Sequence, residues 1–528
     1  MRVLVRVYRD PFRSPGPEQA LEQGQLGGKN NGNLLFTESA VRALAVDGTD
    51  LSCWTLERMI AEPEAVNERF DHVVLPFANS FRMRHEEQLR AATGFLRRLR
   101  IPVTVLGIGA QSTLDYGLTH LDAISDDVRD FVAAVLDRSP SLGVRGAHTA
   151  HLVRRLGFSD VEVIGCPSMF MHGPHLEAAE LPAAFDRTTR VTLNLNRNRP
   201  LPAGWLDDLI DRHPELVYFG QTRSDLHLLL WGGRPGRTLP PMDDYPDRLE
   251  HPVLTRAAAR MHVDPAAWVE DLRSADFTLG TRIHGNIAAV LAGRPAHVLA
   301  HDSRTRELAE YFEIPWTRLR DLTPGADLAA LAAGHDYGAV ARGHAGRFAT
   351  YTDYLARHRL PHVWEPGARS TFADSRQGGP TPRPAEVRGG QPTDVLLRLG
   401  WLKQAHDDRL LELETRVQRQ DARLQRQGLR LQRQNARLQR QDARLQRHGA
   451  RLERQDARLK RLEEDLRRRV AAAAQPPPTP AARLRRLAGK LVRRVHRAGR
   501  PGPGTAAQAV GSTSPARSDD TSPVTPAR

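Results

Sequence analysis

Over residues 1–360, short apolar runs of strand length alternate with amphipathic stretches of helix length. Valine, leucine and isoleucine are frequent in ten such runs, which are Val3–Tyr8, Leu51–Leu56, His72–Leu75, Val103–Ile108, Ser141–Val144, Val161–Ile164, Val191–Leu195, Leu216–Phe219, Asp276–Leu279 and Ala296–Ala300. The stretches between them have helical spacing, as in Glu86–Leu99, Asp126–Leu136, Ala147–Leu156 and Asn286–Leu291. Strands that alternate with helices are typical of βαβ units and parallel sheets. The pattern therefore predicts an α/β protein.

A polar, proline-bearing stretch, residues 173–190, interrupts this alternation. We place the boundary between two domains there, with an N-terminal domain over 1–180 and a C-terminal domain over 188–360. Each has enough strands and helices for a doubly wound, Rossmann-like sheet, so we expect two such domains facing a cleft. Gly157 and Gly293 follow helical stretches, at the position where a C-terminal capping glycine sits.

After the α/β region the composition changes and a heptad repeat begins. Residues 366–393 are rich in Gly, Pro, Arg and Ser, which predicts a flexible linker. Residues 403–470 predict a coiled coil, because nine apolar residues there are spaced seven apart, namely Leu410, Val417, Leu424, Leu431, Leu438, Leu445, Leu452, Leu459 and Leu466. The second seam is largely glutamine, so a solvated single helix with one leucine stripe is an alternative. We expect a basic amphipathic helix over 481–500 and a disordered tail over 501–528.

The positive charge of the chain is concentrated near its C-terminus. Of 528 residues, 76 are Lys or Arg and 62 are Asp or Glu, a formal net charge of +14. Residues 401–528 carry 30 basic and 13 acidic side chains, whereas residues 1–400 carry 46 and 49. The α/β region is thus slightly acidic, and the high isoelectric point says nothing about what it binds. Because no aromatic residue follows Trp401, the tail has no stacking platform, and we expect no nucleic-acid partner.

Neither a membrane-spanning segment nor a disulfide framework is expected. The two cysteines, Cys53 and Cys166, are too few for such a framework. The sequence has no run of about 18 apolar residues and no N-terminal apolar core of signal-peptide length. We therefore expect a cytoplasmic protein whose basic tail makes peripheral contact with anionic lipid at the inner face of the membrane. The leucine stripe predicts self-association.

Candidate chemistry lies where predicted strands end and helices begin, because ligands of open α/β sheets bind there. Small residues end one strand at Gly107-Ile108-Gly109-Ala110-Gln111, and Arg145 follows another. Arg282 and His284 precede a helix predicted to be buried, and Arg304 follows the last strand. Cations beside free amides and an imidazole suit an anionic substrate and proton transfer. A surface salt bridge for Arg145 and a packing role for His284 are the alternatives.

Motifs of several other enzyme classes are absent from the sequence. It contains no G-x-x-x-x-G-K-[ST] loop, no H-E-x-x-H and no D-x-D pair, and Ser112 stands where G-x-G-x-x-G would have its third glycine. The sequence therefore argues against a kinase, a metalloprotease or an NAD-dependent oxidoreductase. We expect no metal site.

Five short motifs, in order along residues 1–360, resemble those of the polysaccharide pyruvyl transferase family. They are Asn30-Asn31-Gly32-Asn33, Gly107-Ile108-Gly109, Val144-Arg145-Gly146-Ala147, Gly280-Thr281-Arg282-Ile283-His284 and Asp302-Ser303-Arg304. The arginine–isoleucine–histidine element is the most specific of them, and the C-terminal tail has no counterpart in the family. Three departures from the family pattern stand out: Gly146 stands where an aspartate is usual, Pro76-Phe77-Ala78-Asn79-Ser80 stands where the family tends to have a glycine run, and Cys166 replaces the aspartate of a D-P-[AS] turn.

The resemblance implies a fold similar to that of B-type glycosyltransferases. It also implies transfer of a pyruvyl group from phosphoenolpyruvate to a sugar of a cell-surface polysaccharide or its precursor, with no cofactor besides this donor. By analogy, His284 would be the catalytic residue, binding the donor and acting in proton transfer, and Arg145 would bind phosphoenolpyruvate. The remaining candidates for substrate binding are Asn31, Gly109, Gln111, Arg282 and Arg304.

Two other functions fit the same sequence features. A B-type glycosyltransferase that uses a nucleotide-sugar would also place an arginine and a histidine in its cleft. A non-catalytic scaffold, whose coiled coil carries the function, is the second alternative, and the presence of both Arg145 and His284 argues against it.

Overall fold

A computed structural model of the chain describes residues 1–27, 30–197, 199–232, 242–376, 381–387 and 392–474. The chain divides into two compact units, Met1–Glu412 and Leu413–Arg528. The first unit contains every described strand. The described part of the second unit is a single helical segment.

A parallel sheet forms the N-terminal half of the first unit. The strands of this half are β1 (Arg2–Arg6), β2 (Asp50–Trp54), β3 (His72–Pro76), β4 (Asn79–Phe81), β5 (Val103–Leu106), β6 (Gly109–Ala110), β7 (Leu142–Val144) and β8 (Val161–Val163). Four pair in the order β2-β1-β3-β5, while β4 pairs with β6 and β7 with β8. A bridge between Ile108 and Val144 connects the chain after β5 to β7. All five residues of β3 are buried, which accounts for its continuous apolar sequence.

A seven-stranded sheet forms the C-terminal half. Its strands are β9 (Val191–Asn194), β10 (Val217–Phe219), β11 (Ala258–Met261), β12 (Phe277–Gly280), β13 (Ala296–Ala300), β14 (Trp316–Arg318) and β15 (Ala385–Glu386). They lie in the order β14-β13-β12-β9-β10-β11-β15, and β15 pairs antiparallel to β11 while the other pairs are parallel. Strands are added in opposite directions on either side of β9, which makes β9 and β12 a switch point of the kind that binds ligands. The prediction of two Rossmann-like sheets is confirmed.

Helices connect the strands of both sheets. They are α1 (Pro17–Glu22), α2 (Gly32–Leu44), α3 (Leu56–Ala61), α4 (Pro63–Arg69), α5 (Glu86–Arg98), α6 (Ser125–Leu136), α7 (Ala147–Arg155), α8 (Trp205–Arg212), α9 (Arg223–Trp231), α10 (Pro252–Thr255), α11 (Pro265–Leu272), α12 (Ile283–Leu291), α13 (Ser303–Phe312), α14 (Leu328–Ala332), α15 (Ala339–Arg357), α16 (Phe372–Ser375) and α17 (Pro392–Ala473). Local sequence sets several helix ends. The Asp264 side chain accepts a 2.9 Å hydrogen bond from the Ala267 N–H and so caps α11. Gly157 and Gly293 adopt positive φ after α7 and α12, which confirms them as C-terminal caps.

Segments that cross between the two halves join them into one unit. Tyr354 of α15 donates a 2.8 Å hydrogen bond from its hydroxyl to the carbonyl of Val105, in the N-terminal sheet. In the opposite direction, Ala20 and Leu21 of α1 belong to the apolar cluster that surrounds the C-terminal sheet. Each half therefore depends on chain from the other, so the boundary predicted over 173–190 separates two sheets within one compact unit.

The stretch predicted as a flexible linker, 366–393, packs against the first unit in its described part. The ring of Phe372, in α16, lies 5.4 Å from that of Phe12. Arg369 forms an ion pair with Asp47 at 2.8 Å, and β15 extends the C-terminal sheet. Contacts of Phe372, Arg369 and β15 therefore hold the described part of this stretch in place, although its overall composition is typical of linkers.

The long helix α17 contains the segment predicted as a coiled coil, 403–470, and runs for 82 residues. The predicted basic helix, 481–500, and the predicted disordered tail, 501–528, lie outside the described residues. In the ranges that the structure covers, no helix is both long and apolar enough to cross a membrane.

Candidate functional site

Arg145 is buried at the end of β7, above the glycines that follow β5. Its side chain is 1% exposed, and its Nε and Nη2 atoms both donate to the carbonyl of Gly107 at 3.3 Å. A Cβ atom on Gly109 would lie 2.2 Å from Arg145 Nε, so glycine alone leaves room for the guanidinium. Gly107 has a φ of +63°, a conformation that favours glycine. The glycine–isoleucine–glycine motif therefore forms the surface on which the arginine lies.

No carboxylate of the described residues pairs directly with Arg145, although the charges of Glu307 and Asp302 act on it from a greater distance. In the described part of the chain no acidic side chain forms an ion pair with it, which contradicts the alternative of a surface salt bridge. Burial lowers the pKa of the guanidinium. A buried charge that lacks a directly paired counterion is costly, and a bound anion would reduce that cost. The arrangement therefore favours an anionic ligand.

His284 lies in the first turn of α12, against the start of α2. A Cβ atom on Gly32 would lie 2.7 Å from the Cβ of His284, so the first residue of α2 must be small to accommodate the histidine. The sulfur of Cys166 is 3.7 Å from His284 Nε2 and 2.9 Å from the hydroxyl of Ser168. Three motifs that are distant in sequence therefore meet at one imidazole.

The surroundings of His284 favour its neutral form. Burial, together with the positive charges of Arg145 and Arg304, lowers the pKa of His284 to about 3. A neutral imidazole can accept a proton but does not itself attract an anion. An anion bound beside the two arginines would offset their charges and raise the pKa of the histidine.

Gln111, Asp302 and Arg304 form a polar bridge between the two sheets. Gln111 Nε2 donates to Asp302 Oδ2 at 2.9 Å, and Asn79 Nδ2 donates to Gln111 Oε1 at 2.6 Å. Arg304 Nη2 lies 3.5 Å from the same Asp302 oxygen. The Nε of Arg304 is buried and has no hydrogen-bond partner among the described residues. Gln111 is thus held by protein groups on both sides, whereas Arg304 retains a donor for a ligand.

Arg82 adds a third guanidinium, which the sequence patterns did not indicate. It directly follows β4, where the carbonyl of Phe81 accepts a 2.9 Å hydrogen bond from the Gln111 N–H. Its Nε is buried and unpaired within the described chain. Burial, followed by the charge of Arg304, lowers the pKa of Arg82. We call Arg82, Arg145, His284 and Arg304 the cationic site.

Glu307, in α13, is a second residue that the sequence patterns did not indicate. Its carboxylate accepts hydrogen bonds from the backbone N–H of Thr149 at 2.7 Å and from the Thr149 hydroxyl at 3.0 Å, and so caps the start of α7. A Cβ atom on Gly146 would lie 2.2 Å from the Cγ of Glu307. Burial raises the pKa of Glu307 to about 7. The sequence contained one indication of Glu307: the family usually has an aspartate where this chain has Gly146, and the Glu307 side chain lies where a side chain at position 146 would be.

The side chains of two predicted site residues are engaged elsewhere. Arg282 Nε donates to the carbonyl of Leu195 at 2.6 Å, just beyond β9. Asn31 Nδ2 donates to the carbonyl of His262 at 3.0 Å, next to the end of β11. Both side chains thus bind backbone at the C-terminal sheet, and Arg282 is not among the charges that act on His284.

Comparison with known proteins gives weak structural likenesses and one family match. S. aureus MnaA, in a structure with UDP, shares 14% identity with this chain at a TM-score of 0.37, covering 68% of this chain and 96% of that one. UDP-N-acetylglucosamine 2-epimerase from Rickettsia bellii shares 13% identity at a TM-score of 0.37, with the same coverage. Anabaena Alr3699/HepE, in complex with UDP and glucose, shares 11% identity at a TM-score of 0.34, covering 67% and 95%. No curated protein matches the chain.

The family match covers three residues of the cationic site, Arg82, Arg145 and His284, and ends just before the fourth, Arg304. The model of the family described as polysaccharide pyruvyl transferase matches residues 32–303, more than half of the 528 residues. The match begins at Gly32, which makes room for His284, and ends at the start of α13. The chain therefore belongs to the polysaccharide pyruvyl transferase family and is a transferase.

Proposed function

We propose that the protein transfers a pyruvyl group from phosphoenolpyruvate to two hydroxyls of a saccharide, which belongs to a cell-surface polysaccharide or its precursor. The observation that carries this proposal is Arg145, a buried guanidinium that pairs directly with no carboxylate of the described residues and lies beside a neutral His284. Phosphoenolpyruvate has a phosphate and a carboxylate, and each requires a cationic partner. Arg145 and Arg304 supply two such partners, and Arg82 supplies a third.

The proposed reaction uses the neutral state of His284. A proton that comes from solvent adds to the methylene carbon of phosphoenolpyruvate and makes the neighbouring carbon electrophilic, and a sugar hydroxyl attacks that carbon. His284, which is neutral in the ligand-free site, accepts the proton of this hydroxyl, because the bound phosphate and carboxylate offset the arginine charges that hold its pKa low. Phosphate leaves and Arg145 stabilises the departing charge; the second hydroxyl then closes the ketal and gives its proton to the released phosphate. The products are the pyruvylated saccharide and phosphate.

Substitution of the two central residues tests the proposal. Arg145→Lys keeps the charge but loses the planar two-point grip, so we expect the KM for phosphoenolpyruvate to rise at least tenfold. His284→Asn keeps hydrogen bonding but cannot take up a proton near neutral pH, so we expect kcat to fall about 100-fold with little change in melting temperature. Phosphate release in the presence of a saccharide acceptor measures both.

Matched surface variants control for nonspecific effects. Arg155→Lys changes an exposed arginine that pairs with Asp122, and His151→Asn changes an exposed histidine of the same helix, α7. Both should behave as wild type. If Arg145→Lys also retains wild-type constants, the arginine does not bind the donor. Release of nucleotide from a nucleotide-sugar, with phosphoenolpyruvate unconsumed, would instead identify a glycosyltransferase, and the absence of both activities would favour the scaffold.

We also propose that the protein acts in the cytoplasm, at the inner face of the membrane, and self-associates through α17. The support is the concentration of positive charge in 401–528, which favours contact with anionic lipid. Self-association would present several basic tails together and increase avidity. The full-length protein should sediment with anionic vesicles at low salt, and a chain ending at Glu412 should not. Equal binding by the two would contradict the role of the tail.

A further inference from the structure

The second unit displays a long apolar stripe on an otherwise polar helix. Six successive leucines of the heptad repeat are 57% to 68% exposed, namely Leu424, Leu431, Leu438, Leu445, Leu452 and Leu459. Fully burying a leucine side chain contributes roughly 1.5–3 kcal/mol. Burial of these leucines against a partner would therefore contribute a large hydrophobic free energy of association. The charges on either side of the stripe indicate which partner fits it.

The heptad positions follow from the leucines. With each leucine at position a, the glutamines three residues later fall at d, the second position that faces a partner helix. Seven consecutive g positions, which flank the seam on one side, are arginines: Arg416, Arg423, Arg430, Arg437, Arg444, Arg451 and Arg458. The e positions on the other side are acidic or uncharged: Glu414, Asp421, Gly428, Asn435, Asp442, Gly449, Asp456 and Glu463. Between Glu414 and Glu463, one flank of the stripe is thus basic, and the other carries the acidic residues.

This segregation of charge is complementary to a second copy of the same helix running in the same direction. In a parallel pair, each g residue faces the e residue five positions later on the partner. Four arginines then face a carboxylate, in the pairs Arg416–Asp421, Arg437–Asp442, Arg451–Asp456 and Arg458–Glu463, and two-fold symmetry doubles these contacts. The other three face glycine or asparagine, so no g position meets a like charge.

An antiparallel pair would be penalised by the same residues. There, g positions face g positions, so arginine would meet arginine along the whole seam. Leu413 and Leu462 set the register of the pair, because they are the d positions with an apolar side chain. Each meets its own copy when the two chains are aligned without a shift, whereas a shift of one heptad places it against a polar residue.

We propose that the leucine stripe of α17 binds a second copy of this chain as a parallel, in-register, two-stranded coiled coil. The d-position glutamines hydrogen-bond across the seam and, in a two-stranded coil, retain access to water. The inference specifies the partner in the self-association proposed above and is independent of pyruvyl transfer. Its tests measure association alone, so they can fail while phosphate release persists.

Single cysteines near the two ends of the stripe test orientation and register. Leu424→Cys and Leu459→Cys lie 35 positions apart, about 52 Å along a helix. In the parallel, in-register pair, each variant forms a disulfide with its own copy under mild oxidation. Ala443→Cys, at the outward f position, should not, and wild type controls for Cys53 and Cys166. A mixture of the two variants that cross-links to each other, while neither cross-links to itself, would establish the antiparallel arrangement and overturn the proposal.

Charge exchange tests the contact between the flanks. Arg437→Glu or Asp442→Arg alone creates two repulsive contacts per pair, and we expect dimer dissociation constants from sedimentation equilibrium to rise about fivefold. The double variant, or an equimolar mixture of the single variants, should restore wild-type association. Arg440→Glu, at the outward c position, is the matched control. A full-length protein that is monomeric at micromolar concentration, or single variants that match the control, would contradict the proposal.

Discussion

Replacing Glu307 with glutamine removes a buried negative charge while keeping the shape of the side chain. Glu307 is 2% exposed, and burial raises its pKa from 4.5 to about 7. The folded state therefore holds the proton more tightly than the unfolded chain does. As a consequence, the stability of the wild type falls as the pH rises from about 4.5 to about 7. The full difference corresponds to about 3 kcal/mol, of which about 2 kcal/mol is lost between pH 5.5 and pH 8.

The glutamine variant should not show this loss. Its amide oxygen can accept from the Thr149 N–H and its NH2 group can face the Thr149 hydroxyl, so the cap of α7 is retained. The melting temperature of Glu307→Gln minus that of the wild type should therefore be about 2 to 3 °C larger at pH 8 than at pH 5.5. In a unit of this size, each kcal/mol of stability changes the melting temperature by about 1 °C. Thermal unfolding monitored by circular dichroism at both pH values measures the difference.

The comparison between variants isolates the single carboxylate, because all other titrating groups are shared. Glu87→Gln, on the exposed face of α5, is the matched control and should follow wild type at both pH values. If the difference between Glu307→Gln and wild type is the same at pH 5.5 and pH 8, burial does not perturb Glu307, and the reasoning is refuted.

Three further outcomes are expected. Gly109→Ala places a methyl group where the Arg145 guanidinium lies, so steady-state kinetics should show the KM for phosphoenolpyruvate raised at least tenfold. In the control Gly94→Ala, on α5, the added methyl group has no atom within 4 Å, so denaturation should show the unfolding free energy raised by roughly 0.5–1 kcal/mol. Binding of phosphoenolpyruvate should raise the pKa of His284 from about 3, because the anion offsets the neighbouring arginines, and an NMR titration in which the pKa stays unchanged would contradict this. A chain ending at residue 365 should melt several degrees below the full-length protein because it loses α16 and β15, and equal melting temperatures would show that these elements add no stability.

The sequence predicted the parts of the site that depend on strand ends and glycines. Gly107 and Gly109 end a strand where a backbone must approach another group, and the structure shows that group to be the Arg145 side chain. His284 was identified because it starts a buried helix. The sequence led us to expect a ligand at these glycines, where the structure places Arg145. Alternation of strands and helices explains why these groups lie near one another, because it brings the carboxyl ends of parallel strands to one edge.

Residues that reach the site through tertiary packing could not be predicted in this way. Arg282 and His284 are close in sequence, but around a helix start two positions differ by about 200°, so one contacts the Leu195 carbonyl while the other contacts Cys166. Glu307 lies 158 positions after its partner Thr149, and no local pattern links them. Composition likewise gave no signal of the contacts of Arg369 and Phe372, because each is a single side chain.

The measurement that tests the account most directly is the reaction in D2O with phosphoenolpyruvate and a saccharide acceptor. If a pyruvyl group is transferred after protonation of the methylene carbon, mass spectrometry and NMR should show a ketal-linked product whose methyl group carries one deuterium. One phosphate should be released for each ketal formed, and both should fall together in Arg145→Lys when phosphoenolpyruvate is below its KM. A product without deuterium, a phosphorylated saccharide, or turnover of a nucleotide-sugar in place of phosphoenolpyruvate would contradict the proposed function.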